Sequence, residues 1–426
     1  MEPASDENWR QALLNRRMLI CVFVGFASGL PLYVLLQLVP AWLKDQGVSL
    51  TEIGLFALVG IPYNWKFLWA PFMDRWAPPV LGRMGRRRGW MLFTQLALVL
   101  SIGVLGLFQP AASTGVIAWL ALAVAFFSAS QDVVLDAYRR EILPDPELGL
   151  GSAIHVQAYR ISSLIPGSLS LILADLMPWE SVFWITAAFM LVGVAMTLAV
   201  REPESEVPLS HGLRETVVAP FQEYLGRRQW SGVLLVFGFM FLYKLGDNMA
   251  TALAMPFYLD IGFTKTEIGL VAKHAALWPA IVGGLLGGII MVKLGINRSL
   301  WVFGVVQLVS ILGFALLAAS GAHLWLLAGV IAFEYLGVGL GTAAFTAFIA
   351  RETSRAFAAT QFALFTALAA LPRTFANAST GAIVEKTGWV DFFYLCALLA
   401  IPGMLLLFKV APWRTRAGES PAASPG

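Results

Sequence analysis

An all-α integral membrane protein, with twelve transmembrane helices in two pseudo-symmetric six-helix halves, is the fold class this sequence predicts. Three observations predict it. Of 426 residues, 58% are hydrophobic and only 13% charged, too few polar side chains to cover a water-facing surface, so the chain must be dissolved in lipid. Apolar runs of roughly 20 residues, the length a helix needs to cross a bilayer, recur about twelve times. Finally, Thr51-Glu52-Ile53-Gly54-Leu55 reappears as Thr266-Glu267-Ile268-Gly269-Leu270, at the start of the second run of each half, as a parallel internal repeat would place it.

The elements follow in order. A leader over 1–17, ending in Arg16 and Arg17, enters a first apolar run at 18–43 that is too long for the core of a cleaved signal. Further runs at 50–73, 90–108, 116–138, 150–174 and 182–200 complete an N-terminal six-helix bundle over 18–200. The connection at 201–230, with Pro203, Pro208, His211 and scattered charge, reads as a linker. Runs at 231–259, 266–292, 299–319, 324–349, 356–384 and 391–410 make the C-terminal bundle over 231–410, and the polar segment 411–426 reads as a disordered tail. Cys21 and Cys396 both lie inside apolar runs and read as small buried hydrophobes.

Orientation follows from the basic residues. With a cytoplasmic N-terminus, inside segments hold 21 of the 29 Lys and Arg, five of them between Asp74 and Gly89, while outside loops hold only Lys44, Lys265 and Lys386. That asymmetry places both termini in the cytoplasm. The net charge of +3 is too small to suggest a nucleic-acid partner.

Five basic residues fall within spans, Lys66, Arg160, Lys244, Lys273 and Arg373, with the acids Asp132, Asp136, Asp247 and Glu334. A charge at the bilayer centre costs about 2.5 kcal/mol or more, so such residues face a cavity or one another. Lys244 and Asp247, three apart, share a helical face and can pair, either as a static lock or as a coupling site. Asp132 and Asp136, four apart, share a face likewise. A buried carboxylate whose partner comes and goes can take up and release a proton, which makes Asp132, Asp247 and Glu334 the candidate proton carriers. Glu334 has no cation within one turn, which leaves either a cavity-facing role or a cross-helix partner such as Arg373 or Arg160.

Arg160 and Arg373 stand 213 residues apart, close to the 215-residue offset of the repeat, and paired guanidinium groups suit carboxylate recognition because the planar fork binds both oxygens. They form the candidate substrate set with Lys66, which could instead snorkel to the interface, with Lys244, and with the polar and aromatic Gln37, Tyr63, Tyr159, Trp278 and Gln361. Trp278 lies too deep for an interface belt and either stacks on a sugar or fills the bundle, while Trp69 reads as an interface residue. His274 could titrate in the working range.

A basic loop between the second and third spans, Trp69 to Asp74-Arg75 and then Gly82-Arg83-Met84-Gly85-Arg86-Arg87-Arg88-Gly89-Trp90, resembles the signature of the major facilitator superfamily. In that superfamily such residues close a cytoplasmic gate across the half-interface; the resemblance therefore implies gate roles for Asp74, Arg75, Arg83, Arg86, Arg87 and Arg88, with Asp136 within reach. The sequence further resembles the AmpG muropeptide permeases. The motifs are Gly25-Phe-Ala-Ser-Gly-Leu-Pro31, Lys66-Phe-Leu-Trp-Ala-Pro-Phe-Met-Asp-Arg75, Gly85-Arg-Arg-Arg-Gly-Trp90, Ser128-Ala-Ser-Gln-Asp132 with Asp136-Ala137, Tyr243-Lys-Leu-Gly-Asp247, Phe333-Glu334 and Ala359-Thr-Gln-Phe-Ala-Leu364.

They span nearly the whole chain. The resemblance implies proton-coupled import of anhydromuropeptides, meaning GlcNAc-anhydroMurNAc with or without peptide, across the bacterial inner membrane. It further implies roles in cell-wall recycling and β-lactamase induction. Some members of the family carry two further C-terminal spans, and this sequence runs to Gly426. An importer of another anionic solute, such as a siderophore or an acyl-CoA, would share the fold. No metalloprotease helix, nucleophile elbow or phosphate-cradling glycine loop is visible, so no enzyme and no cofactor is expected; the partners expected are substrate, protons and bilayer, and the chain is expected to be a monomer.

Overall fold

The computed structural model describes residues 15–143, 148–203, 222, 224–226, 230–352 and 358–413, and among these every regular element is helical. Most of the leader, the linker and the tail expected from the sequence lie outside the described residues. Helical segments cover the described part of every apolar run. They are α1 (Arg16–Asp45), α2 (50–75), α3 (Arg86–Leu105), α4 (Pro110–Ile142), α5 (148–174), α6 (Trp179–Ala199), α7 (Trp230–Asp260), α8 (Lys265–Met291), α9 (Lys293–Ser320), α10 (Leu324–Glu352), α11 (358–387) and α12 (389–410). Gly295 and Gly388, at φ +73° and +78°, make tight breaks, the first near the start of α9 and the second between α11 and α12, a conformation that side chains bearing a Cβ resist.

Nine stretches among the described residues are long and apolar enough to cross a membrane. The run at 50–73 is not one of them, because α2 is broken into short α pieces joined by 3₁₀ turns at Phe56–Gly60 and Lys66–Leu68. Proline in the sequence accounts for this: Pro62 and Pro71 lack the N–H that a continuous helix would use, and the ring of Pro62 would clash with the Leu58 carbonyl, inside the first of those turns.

The helices form two compact units: Met1–Ser49 and Val59–Pro208 with Thr264–Lys273, and Leu50–Leu58 and Leu209–Phe263 with His274–Gly426. In the first unit α1 packs on α5 at backbone distance. A Cβ added to Gly25 would lie 2.3 Å from the His155 carbonyl oxygen, and one added to Gly29 would lie 2.4 Å from that of Tyr159, so this small-residue stripe sets the approach. Val24, Met91, Val134, Leu135, Tyr138 and Met196 form a core where α1, α3, α4 and α6 meet. The second unit is held by an aromatic core of Phe239, Phe303, Phe345, Phe348 and Phe365.

The repeated pentapeptide explains why each unit takes in a segment from the other half of the chain. In the first unit the Thr266 amide and hydroxyl both donate to Asp175 Oδ2 at 2.7 Å, and Lys265 pairs with Asp45 at 3.0 Å. In the second the Thr51 amide donates to Glu385 Oε1 at 3.0 Å and its hydroxyl to Oε2. Each carboxylate thus satisfies an exposed N–H in the first turn of a helix, where negative charge is also favoured. Close backbone contact accompanies the second docking, since a Cβ on Gly381 would collide with the Leu50 carbonyl.

Candidate transport site

In the second unit, α7 is interrupted at Lys244, whose φ of −102° and ψ of 3° leave the helix before it restarts at Leu245. The interruption turns the ammonium back along the same face, and Lys244 Nζ donates to Asp247 Oδ2 at 3.1 Å with both residues buried. Asp247 Oδ1 has no partner in hydrogen-bond geometry among the described residues. Beside this pair lies Glu334 of α10, wholly buried at 0% exposure, with neither carboxylate oxygen in hydrogen-bond geometry with a described group. Its electrostatic neighbours are Asp247, Ser310 and Lys244. Among the described residues of this unit, Arg373 does not pair with Glu334; the group beside it is another acid.

The first unit holds a different arrangement. Ser28 Oγ donates to Asp132 Oδ1 at 2.6 Å, and Lys66 Nζ stands 4.0 Å from Oδ2, at the outer limit of an ion pair. Asp136 pairs with Arg139 at 3.0 Å on its own helix, a local contact. Trp69 is half-buried, its indole N–H donating to Ser130 Oγ at 3.0 Å and its ring lying against Phe126. Gln37 accepts from Lys273 Nζ at 3.1 Å, and Tyr159 meets Tyr33 edge to face at 5.6 Å. Tyr63 and Arg160 are half-buried.

Arg87 and Arg88 are engaged inside the first unit. Arg87 Nη2 bonds Glu141 at 2.7 Å, the amides of both arginines donate to the Glu202 carboxylate, and Arg88 reaches the last carbonyls of α6 at Thr197 and Leu198. A carboxylate at the start of α3 and a guanidinium at the end of α6 satisfy both helix ends at once. Arg83 is exposed and Arg86 half-buried. The side chains of Asp74, Arg75 and Gln361 lie outside those described. Trp278 is 51% exposed and so does not fill the bundle, and Arg373 and His274 are exposed too.

Sequence reasoning noted Lys273 only as a buried base and missed Tyr33, Ser28 and Ser310 altogether. Lys273 carried a signal, being a cation within a span; the other three are ordinary helical residues until the fold brings charge beside them.

Broken helices, buried ionisable clusters and an internal repeat are features of a membrane transporter. The model of the Major Facilitator Superfamily matches residues 21–377, and the fold is shared with solved members at low identity. Those include a D-xylose–proton symporter (TM-score 0.71, 13% identity, 93% of this chain and 97% of that one) and the nucleoside transporter NupG (TM-score 0.69, 12% identity, 94% and 99%). The chain is therefore an all-α, multi-pass membrane transporter and not an enzyme. It is 40% identical to the anhydromuropeptide permease of Escherichia coli K12 over 92% of its own length and 79% of that protein's. It is 30% identical to a putative transporter AmpG of Rickettsia felis over 92% and 95%, and 52% identical to an uncharacterized protein of Haemophilus influenzae over 94% and 96%. Within the superfamily, the chain belongs to the AmpG family.

Proposed function

We propose that this transporter imports anhydromuropeptides across the bacterial inner membrane, with both termini cytoplasmic, and that inward proton flow drives it. The observation that carries the coupling is the buried cluster of two carboxylates and one ammonium. With Asp247 and Glu334 both ionised, the cluster holds a net negative charge away from water, which is costly. One proton balances it, and that proton gives Glu334 a donor for the unbonded Asp247 Oδ1. Asp132, held by Ser28 and loosely by Lys66, is a second candidate carrier in the other unit.

Lys66 and Arg160 in the first unit and Arg373 in the second supply cations for the substrate's carboxylates, and Gln37, Tyr63, Tyr159, Trp278 and Gln361 supply polar and aromatic contacts for its sugars. Lys244 joins that set when Asp247 releases it. The loop residues Asp74, Arg75, Arg83 and Arg86–Arg88, with Asp136, control cytoplasmic access during alternating access. The imported fragments would feed cell-wall recycling and β-lactamase induction. The test is uptake of labelled GlcNAc-anhydroMurNAc by proteoliposomes with and without an inward proton gradient. Accumulation that follows the gradient and is competed by unlabelled disaccharide is the expected result; uptake of another anionic solute instead would replace the substrate and keep the transporter.

A further inference from the structure

Three helices of the first unit are locally wound as π-turns: Val34–Leu38 in α1, Ile165–Leu169 in α5 and Ile268–Ala272 in α8. Single π-turns inside α-helices are rare and frequent at functional sites, because the extra residue per turn redirects side chains. These three are packed together, the turn of α5 touching both of the others. Gln37 lies in the first turn, Gly167 in the second, and Lys273 directly follows the third.

Where they meet, Lys273 is 4% exposed. Its ammonium has only neutral company, Gln37 Oε1 at 3.1 Å and the Tyr33 ring at 5.3 Å; no carboxylate among the described residues pairs with it. Space for the two side chains exists because position 167 is glycine. A Cβ there would lie 2.1 Å from Gln37 Oε1 and 3.0 Å from Lys273 Cδ. Tyr159, edge-on to Tyr33, completes an aromatic wall. Burying a cation with neutral partners alone costs several kcal/mol, and a helix geometry bent at three places to hold it there is the arrangement of a site awaiting an anion.

We propose that Lys273, with Gln37 and Tyr33, forms a carboxylate-binding subsite of the transport pathway and selects substrates bearing a free carboxylate. This rests on the importer reading, adds Lys273 and Tyr33 to its residues and turns Gln37 to the carboxylate. The cation attracts the carboxylate, Gln37 turns its amide N–H₂ toward a second oxygen, and the tyrosines flank the adjoining sugar ring.

The experiment compares two probes in proteoliposomes, GlcNAc-anhydroMurNAc and the same disaccharide with its lactyl carboxylate converted to the amide. Wild-type protein should prefer the acid. In Lys273→Gln, KM for the acid should rise about tenfold to hundredfold, the range of one charge-assisted contact, with KM for the amide little changed, so the preference disappears. Gln37→Glu keeps the lysine but puts an internal carboxylate beside it, and should lose the preference in the same way; Lys273→Arg should retain part of it. Size-exclusion profiles report folding, and if Lys273→Gln does not fold, Gln37→Glu decides alone. An unchanged acid-to-amide ratio in a folded variant overturns the subsite, as does a variant whose ratio holds while only its pH profile moves. Wild-type protein that takes up neither probe overturns the importer reading, and the subsite with it.

Discussion

Replacing Glu334 by glutamine preserves size and hydrogen-bonding reach while removing the exchangeable proton. Across the 3.1 Å Lys244–Asp247 contact the Coulombic attraction is about 5 kcal/mol at an effective dielectric of about 20, before the desolvation that offsets it. In the proposed coupling, the one proton that balances the cluster is placed on Glu334, whose carboxylate oxygens have no partner in hydrogen-bond geometry among the described residues, and the Lys244–Asp247 contact is left intact. At zero membrane potential, a gradient of one pH unit supplies about 1.4 kcal/mol per proton, enough for about tenfold accumulation at one proton per cycle. The assay is the internal-to-external ratio of labelled disaccharide in proteoliposomes with the potential clamped. Wild-type protein should reach that ratio; Glu334→Gln should stop near equal concentrations while still exchanging labelled for unlabelled substrate. A Glu334→Gln protein that accumulates substrate to the wild-type ratio refutes the reasoning.

Three further outcomes follow from the packing. Asp247→Asn leaves Lys244 buried without its counter-charge and should cost about 3–5 kcal/mol, seen as a lower unfolding midpoint in detergent; Lys244→Gln/Asp247→Asn together should recover most of it, and a double variant as unstable as the single one would count against the pair. Gly29→Leu should yield little monodisperse protein, because its Cβ would lie 2.4 Å from the Tyr159 carbonyl, whereas Gly115→Ala, with open space around it, should be tolerated or stabilising by up to about 1 kcal/mol. Thr266→Val keeps the amide bond to Asp175 but loses the hydroxyl's, for about 1 kcal/mol; Asp175→Ala loses both bonds and the pairing with Lys265, and should cost at least twice as much by the same measurement.

What was legible in the sequence was what depends on short range. Bilayer thickness dictates the length of an apolar run, so the spans could be counted, and three-residue spacing places Lys244 beside Asp247. What was not legible depends on residues far apart in the chain. Glu334 meets an acid 87 positions earlier, at 247, and Trp69 finds a hydroxyl on α4 that no local pattern announces. Lys273 and Gln37 are separated by 236 residues, and the π-turns that join them leave no clear mark on hydrophobic periodicity. Trp278 left two readings open for a related reason: depth along a span says nothing about which way the side chain faces, and its 51% exposure speaks only against the bundle-filling one.

Thr264–Lys273 belong by sequence to the second half and complete the first unit, while Leu50–Leu58 make the reverse crossing. A chain severed in the linker would therefore give two unfinished fragments. The N-terminal one would lack the ammonium opposite Gln37 and the helix start that occupies Asp175; the C-terminal one would lack the threonine that Glu385 receives. Neither is a module that could be grafted or expressed by itself, and activity should return only when both fragments are made in the same membrane and each lends the other its missing piece.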